Sequence, residues 1–515
     1  MNWRRWVPSL GDLLFAAIVG QMLVSAPKLL NDGDTGWHVT TGLQILDTGH
    51  IPTTDPYSYT MPGTPWTAHE WLAEAVFGVA HKLMGWDGVA WLTAMLVAGA
   101  VLGVYRLSLS RGVTVFPALL VAGLTAAMTI MHWLARPHVF TMAVVIGWLW
   151  LLERARRDNR GWWLLLPVML VWVNLHGGFV LGLLLLGMST GTDLVLAAFG
   201  DVDARRRLGP GLAVSVGAAL TACVNPQGPW ILWFPFHVVN RQWLMDNVDE
   251  WQSPNFRVEH LLEVWLVFAA FVLVQARRPL SLFEGALALF NVHAALFAIR
   301  SQPLAALMCA PMLAERAGAA FHTSTAALEG VGWLSRVRAR IGELSAELTV
   351  DELQNTGVWS VVTALGSLAL VAVGPRIGLH LIDAHHDPER FPVAAVAWAE
   401  EHGIQGRPFH TDSWGGYLIA VAWPRYSVFV DGRSDMYDVP FMKAYAAVLR
   451  DEPGATATLD RYAVDWVLFP HDAPLVRTLI ATPEWRRVYS DPVADIVLRV
   501  EPANAALLEQ LPAIP

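Results

Sequence analysis

The 515-residue chain is 54% hydrophobic and only 15% charged, and its net charge is -9. This composition is far from that of an average soluble domain, and apolar blocks of roughly 15 to 25 residues indicate an integral membrane protein. The Lys and Arg residues form small loop clusters and no basic stripe, which argues against a nucleic-acid partner. Cys223 and Cys309 both fall in apolar segments, so we predict packing roles and no disulfide framework.

The apolar segments predict about eleven membrane-spanning helices. The first resembles a signal peptide, because SAP (25–27) looks like a cleavage site, but its length favours an uncleaved anchor. With the N-terminus in the cytoplasm, the arginines near span ends, including Arg4, Arg5, Arg277 and Arg278, fall on the cytoplasmic side. The predicted spans lie near residues 8–30, 88–106, 113–134, 138–153, 161–174, 178–199, 211–224, 260–275, 281–298, 303–314 and 357–374.

The chain is thus predicted to be a polytopic α-helical membrane protein, with a transmembrane domain over residues 1–374. Within it, residues 317–355 carry Arg336, Arg338 and Arg340 and predict a cytoplasmic amphipathic linker. From residue 375 to 515 the hydropathy falls, which predicts an α/β domain that eleven spans would place outside the cytoplasm. Its β-rich runs are YSVFV (426–430), DWVLF (465–469) and DIVLRV (495–500).

Polar residues gather at the predicted external ends of the spans. Charges at membrane depth are costly and usually face a cavity or a partner, so a shared external cavity is the economical interpretation. The alternative is that each residue caps its own helix or lies among lipid headgroups. The set comprises Asp32, Asp34, His38, His69, Glu70, Glu74, Arg136, His138, Asn174, His176, Asn225, Glu250 and Arg300.

The first external loop, residues 31–87, begins with NDGDTGWH and continues through a segment rich in Pro and Gly. A helical pattern then places Trp71, Phe77 and other apolar residues on one face, which predicts a helix lying on the outer membrane surface. His69 and Glu70 open this helix, where free backbone N–H groups favour a nearby anion.

These features resemble the GT-C superfamily of membrane glycosyltransferases: an acidic residue after the first span, a long first external loop, many spans and a C-terminal extracytoplasmic α/β domain. The superfamily includes the protein O-mannosyltransferases and the lipid A aminoarabinose transferases. The chain also resembles an uncharacterised group of bacterial membrane proteins. That second resemblance rests on GDTGWHVTTGLQIL, IPTTDPYSYT, PWTAHEWLAE, ARPHVFT, NLHGGF and VFVDGRSDMY.

The GT-C resemblance implies an inverting hexosyl or pentosyl transferase at the outer face of the bacterial inner membrane. Its donor would be a sugar on a polyprenyl phosphate, and its acceptor a cell-envelope glycan, lipid or protein. Carried over, Asp34 is the best match for the general base and Asp32 the second. A carboxylate within about 3 Å of an acceptor hydroxyl can take its proton. The alternative is that NDGD is simply a tight turn.

The resemblance also implies positive charge for the lipid-phosphate leaving group. Arg136 in ARPH and Arg300 in IRSQP are the external arginines nearest to spans, and a guanidinium binds phosphate through two hydrogen bonds. His138 and His176 would add hydrogen bonds. For the arginines, snorkelling or pairing with a carboxylate is the alternative, and for the histidines it is a structural role.

Substrate contacts are predicted for Trp37, His38, His69 and Glu70, although Trp37 also fits an interfacial anchor. The HEW stretch departs from the Lys-Pro rich motif that several GT-C enzymes carry there. The substrate contacts of those enzymes therefore cannot be carried over directly to these residues. His69 or Glu70 would be the ligand if a divalent metal is used. Adjacent helical residues point about 100° apart, however, and rarely share one ion.

In the C-terminal segment, FVDGRSDMY (429–437) crowds Asp431, Arg433 and Asp435 after a predicted strand. We predict that these residues bind the acceptor or dock on the membrane domain, with a plain Asp-Gly turn as the alternative.

Two other functions fit the composition: a non-catalytic transporter or assembly factor for envelope polymers, and a polymer ligase of the O-antigen type. A transporter should carry polar residues near mid-span, and the ligase gives no reason for acidic residues right after span one.

Overall fold

The computed structural model describes residues 6–276, 279–323, 332–511 and 514. Arg4, Arg5, Arg277 and Arg278, which supported the predicted orientation, lie outside these ranges. The described residues are mostly helical. The helices are α1 (Leu10–Val24), α2 (Ala26–Leu29), α3 (Thr35–Thr48), α4 (Trp71–Ser110), α5 (Val115–Thr129), α6 (His138–Asp158), α7 (Leu165–Leu175), α8 (Phe179–Ala198), α9 (Val202–Ala222), α10 (Phe234–Val239), α11 (Gln242–Asn247), α12 (His260–Gln275), α13 (Leu282–Phe297), α14 (Gln302–Thr323), α15 (Gly332–Gln354), α16 (Val358–Val373), α17 (Val393–Glu401), α18 (Asp412–Ala422), α19 (Val439–Leu449), α20 (Thr456–Arg461), α21 (Pro474–Ile480) and α22 (Ala505–Gln510).

The chain divides into two compact units. The helical unit comprises Met1–Val24, Trp91–Trp133 and Pro137–Ile382. The mixed unit comprises Ser25–Ala90, Leu134–Arg136 and Asp383–Pro515. The mixed unit therefore joins the predicted first external loop to the C-terminal segment.

Each of the eleven predicted spans coincides with a helix, but eleven spans are not confirmed. Among the described residues, only α4, Val115–His132, α6 and α8 are long and apolar enough to cross a membrane, and the bent pair Ala339–Gln354 and Val358–Val373 makes a fifth candidate. The other apolar helices are shorter. Helix α1, for example, has 15 residues. At about 1.5 Å per residue it covers about 23 Å of an apolar layer about 30 Å thick.

Helix α4 contains both the predicted surface helix and the predicted second span. The two parts meet at Gly85, whose φ of 61° and ψ of -154° break the helical geometry. Residues with a Cβ atom rarely adopt this conformation, so glycine is required at the break. Inside the helical unit, the rings of Trp148 and Trp172 are fully buried and pack edge to face, 5.6 Å apart.

The mixed unit contains a four-stranded sheet in the order β1-β2-β4-β3. Strand β1 pairs parallel with β2, and β4 pairs antiparallel with both β2 and β3. The apolar centres of β2 and β4 are buried on both faces, and they confirm the strands predicted from DWVLF and DIVLRV. The strands are β1 (Pro408–Phe409), β2 (Trp466–Pro470), β3 (Trp485–Ser490) and β4 (Ala494–Arg499).

The strand predicted from YSVFV is wrong. Val428 forms only an isolated bridge with Ser58. Its N–H donates to the carbonyl of Tyr57, and its carbonyl accepts from the N–H of Tyr59. The segment is apolar because it is buried, but its backbone partner is a short stretch of the first loop and not the sheet.

Candidate active site in the mixed unit

The carboxylates of NDGD are oriented by the turn that precedes α3. Asp34 lies at the N-cap position, yet its side chain does not cap the helix. Instead, its Oδ1 accepts a hydrogen bond from the indole Nε1 of Trp37 at 3.0 Å. The N–H of Asp34 donates to Oδ1 of Asp32 at 2.8 Å. The stretch is therefore a turn, as the alternative interpretation held, and this turn brings both carboxylates to one place.

Arg136 lies between the two aspartates. Its NH1 is 3.1 Å from Oδ2 of Asp32, and its NH2 is 2.9 Å from Oδ2 of Asp34. The preceding residue is fixed by a 2.8 Å hydrogen bond from Ala135 N–H to the carbonyl of Leu29. The side chains of Asp32, Asp34 and Arg136 are 12%, 16% and 21% exposed, so the cluster is partly buried. One guanidinium between two carboxylates leaves an excess of negative charge when all three groups are ionised.

Glycines allow three sequence motifs to meet around Asp34. A Cβ atom on Gly432 would lie 1.6 Å from Oδ1 of Asp34. A Cβ atom on Gly416 would lie 1.9 Å from the carbonyl oxygen of Gly33, and one on Gly36 would lie 2.1 Å from that of Gly416. The glycines of GDTG, SWGG and VDGRSD are therefore required by close backbone approach.

His38 forms a buried pair with Glu74. Its Nδ1 is 3.2 Å from Oε1 of Glu74, and both side chains are almost fully buried. Helices α3 and α4 approach each other closely at this point, since a Cβ atom on Gly42 would lie 1.8 Å from the carbonyl oxygen of Glu74. His38 is therefore held within the mixed unit by Glu74, a member of the same predicted polar set.

A second charged cluster lies fully buried in the mixed unit. Arg433 donates to Asp431 through Nε at 2.8 Å and NH2 at 2.6 Å, and NH2 also donates to Oδ1 of Asp55 at 2.7 Å. The hydroxyl of Tyr437 donates to Oδ2 of Asp431 at 3.1 Å. Asp431 and Arg433 are each 2% exposed, so their charged groups bind each other inside the mixed unit and are not presented at its surface. Asp435, by contrast, is half-buried.

The buried cluster perturbs the ionisation of its members. Burial alone would lower the pKa of Arg433, but Asp431 and Asp55 hold that pKa well above its ordinary value. Burial, and then the charge of Asp431, raises the pKa of Tyr437. Nearby, burial lowers the pKa of His410 to about 4. The Nε2 of His410 accepts from the N–H of Phe429 at 3.0 Å, which requires the neutral ring.

Aromatic rings connect the two clusters. The guanidinium of Arg433 lies 4.5 Å from the ring centroid of Trp66. Trp66 packs edge to face against Trp37 at 5.9 Å, and Trp37 donates to Asp34. Trp37 is buried inside the mixed unit, 7% exposed, and is therefore not an interfacial anchor. Its contacts orient the Asp34 carboxylate.

A solved oligosaccharyltransferase has a similar fold. The apo oligosaccharyltransferase of Archaeoglobus fulgidus aligns with a TM-score of 0.53 and 12% identity, over 89% of this chain and 69% of that one. The chain shares the fold of this oligosaccharyltransferase. Lower scores are found for the oligosaccharyltransferase AglB of Archaeoglobus fulgidus with an inhibitory peptide and a dolichol-phosphate (0.46, 13% identity, 96% and 74% covered) and for apo ArnT of Cupriavidus metallidurans (0.49, 14% identity, 98% of each chain). No family model and no curated protein sequence matches.

The fold expected from the sequence resemblance is thus confirmed, and with its apolar helices the chain is a multi-pass membrane protein. Three predicted phosphate ligands belong to the helical unit of this fold, where each has structural contacts. Nε2 of His138 lies 2.8 Å from the carbonyl oxygen of His132. Nδ1 of His176 lies 2.9 Å from Oγ1 of Thr141. Arg300 lies over the ring of Trp251, 4.2 Å from its centroid.

The predicted metal ligands His69 and Glu70 form a turn before α4, with Nε2 and Oε1 3.8 Å apart. Within the described ranges, no group of three or more His, Cys, Asp or Glu side chains could hold a metal ion. The observed geometry therefore gives no support to a metal site at this turn.

Sequence reasoning missed three residues of the site: Asp55, Gly416 and Gly432. Asp55 stands in the quoted motif IPTTDPYSYT, and the two glycines stand in SWGG and VDGRSD. Those motifs were the available signal, but nothing local shows that they meet. Asp55 and Arg433, for example, are separated by 378 positions.

Proposed function

We propose that this protein is an inverting membrane glycosyltransferase. It moves a hexosyl or pentosyl group from a polyprenyl-phosphate donor to a hydroxyl of a cell-envelope acceptor, at the outer face of the bacterial inner membrane, with the N-terminus in the cytoplasm. The observation that carries the proposal is the partly buried carboxylate of Asp34, which is fixed by Trp37, Arg136 and the backbone of Gly432. The shared fold supports the reaction class.

In the proposed step, Asp34 removes the proton of the acceptor hydroxyl while that oxygen attacks the anomeric carbon of the donor sugar. The bond between this carbon and the phosphate oxygen breaks, and polyprenyl phosphate leaves with the bonding electrons. Attack on the face opposite the leaving group inverts the anomeric configuration. The product is a new glycosidic bond, and the proton remains on Asp34 until solvent removes it.

Arg136 is the proposed phosphate ligand of the mixed unit. A guanidinium and a phosphate form strong paired hydrogen bonds, so a donor phosphate would compete with Asp32 and Asp34 for Arg136. As Arg136 turns toward the phosphate, the negative charge on Asp34 loses its cation and its basicity rises. Binding of the donor would thereby activate the base. The same phosphate-binding role remains a prediction for Arg300, His138 and His176.

The test uses the purified full chain in detergent with polyprenyl-phosphate-linked sugars and an envelope extract that supplies acceptor hydroxyls, and it measures release of polyprenyl phosphate. We expect Asp34→Asn to lower the rate by about 100-fold or more, the usual contribution of a general base. Asp47→Asn is the matched control, because Asp47 is on the same helix but exposed and paired with Lys82 at 2.7 Å. Wild-type release by folded Asp34→Asn protein would refute the assignment.

A further inference from the structure

The helical unit contains a cavity of about 310 Å³ whose walls come from the end of α4 and from α6, α9, α13 and α14. Four arginines and two glutamates line it together with apolar side chains, so arginines outnumber carboxylates among the lining side chains. The arginines are Arg111, Arg156, Arg157 and Arg207. None of them has a role in the transfer reaction proposed above.

Ion pairs hold three of these arginines in place. Arg156 donates to both carboxylate oxygens of Asp193, at 2.9 and 3.1 Å, and Arg207 donates to the same carboxylate at 2.8 Å. Arg111 donates to Glu153 at 3.1 Å and to Glu315 at 3.2 Å. Two guanidinium groups therefore share the single carboxylate of Asp193, which leaves positive charge at that part of the cavity wall, whereas Arg111 is shared between two glutamates.

The polarity of the cavity is graded along the helices. On α6, Leu149 precedes Glu153 by one turn, and Arg156 and Arg157 follow near the helix end. On α13 the charged residue, Glu284, is in the first turn and Leu287 is farther in. On α14, the lining residues Met308 and Met312 come before Glu315 and Arg316. Charged residues thus lie toward the helix ends and apolar residues toward the helix interiors.

We propose that this cavity binds the phosphate headgroup of an anionic phospholipid such as phosphatidylglycerol. Guanidinium groups are the side chains best suited to phosphate, and basic pockets between membrane helices bind anionic headgroups. The volume lies at the lower end of the range for ligand sites, which fits a headgroup with the start of its acyl chains. Leu149, Leu287 and the two methionines contact these first methylene groups.

The test is native mass spectrometry of the full chain released from nanodiscs with equal parts of phosphatidylcholine and phosphatidylglycerol. Arg157→Glu is compared with Arg154→Glu. Both arginines are exposed on α6 and lie within 4 Å of Asp158, but only Arg157 lines the cavity. We expect the wild type and Arg154→Glu to retain phosphatidylglycerol preferentially and Arg157→Glu to retain at least about fivefold less.

A second variant, Met312→Phe, fills the cavity without changing any charge, and we expect it to reduce phosphatidylglycerol retention as well. Equal retention by Arg157→Glu and Arg154→Glu would overturn the proposal, and so would undiminished retention by Met312→Phe. Binding of inorganic phosphate without enrichment of phosphatidylglycerol would overturn the assignment to a lipid. The proposal is supported if Arg157→Glu and Met312→Phe both retain less phosphatidylglycerol while Arg154→Glu retains as much as the wild type.

Discussion

Replacing Gly432 with alanine tests the geometry around Asp34 most directly. The new Cβ atom would lie 1.6 Å from Oδ1, 2.6 Å from Cγ and 3.0 Å from Oδ2 of Asp34. Non-bonded heavy atoms need about 3.5 Å, so the carboxylate must move by more than about 1 Å. The backbone of Gly432 has no positive φ that alanine would resist. The collision with Asp34 is therefore the main expected effect.

Movement of the carboxylate disrupts its hydrogen bond from Trp37 and its ion pair with Arg136, at 3.0 and 2.9 Å. Overpacking of this kind costs about 1 to 3 kcal/mol of folding free energy. Under the proposed function, displacement of a catalytic group by about 1 Å also lowers the transfer rate by on the order of 100-fold. We expect both effects in Gly432→Ala.

Thermal unfolding in detergent and release of polyprenyl phosphate measure the two effects, and a double-mutant cycle with Asp34→Ala assigns their cause. In the Asp34→Ala background the new methyl group no longer meets a carboxylate. In that background, Gly432→Ala should lower the free energy of unfolding by less than about 0.5 kcal/mol, which is the scatter expected for substitutions that do not interact. If Gly432→Ala lowers the melting temperature equally in both backgrounds, the proposed contact is not the cause.

Three further predictions concern the surroundings of the site. Trp37→Phe keeps the ring against Trp66 but removes the indole N–H donor, so we expect a transfer rate about 5-fold to 10-fold lower with little change in melting temperature. Arg433→Met leaves Asp431 and Asp55 buried without their cation and should cost about 3 to 5 kcal/mol in thermal unfolding, whereas Arg461→Met on the exposed end of α20 should be neutral. Because the pKa of His410 is about 4 in the folded protein and near 6.5 when unfolded, the unfolded chain binds more protons between these values. The neutral His410 ring therefore contributes at most about 3 kcal/mol to the free energy of unfolding above pH 6.5, and this contribution is lost as the pH falls toward 4. If the melting temperature of His410→Gln falls with pH as steeply as that of the wild type, the prediction is wrong.

Local patterns predicted the elements well, and contacts between distant motifs poorly. Hydropathy located a helix at every predicted span, and β-rich apolar runs located β2 and β4, because both signals depend on neighbouring residues. The strand predicted over YSVFV failed because burial alone does not specify a backbone partner. The site depends on long-range contacts that no local pattern encodes, such as the contact of Arg433 with Asp55 and the contact of Gly432 with Asp34.

The position of Arg136 explains why two aspartates follow one another so closely. A carboxylate paired alone with an arginine is held in its charged form and is a poor proton acceptor. Here one guanidinium is divided between Asp32 and Asp34, so neither carboxylate is fully neutralised. Asp32 also accepts the N–H of Asp34 and fixes the turn. Under the proposed function, Asp32 is the residue that positions Asp34 and shares its cation, and a phosphate that takes Arg136 leaves Asp34 as the stronger base.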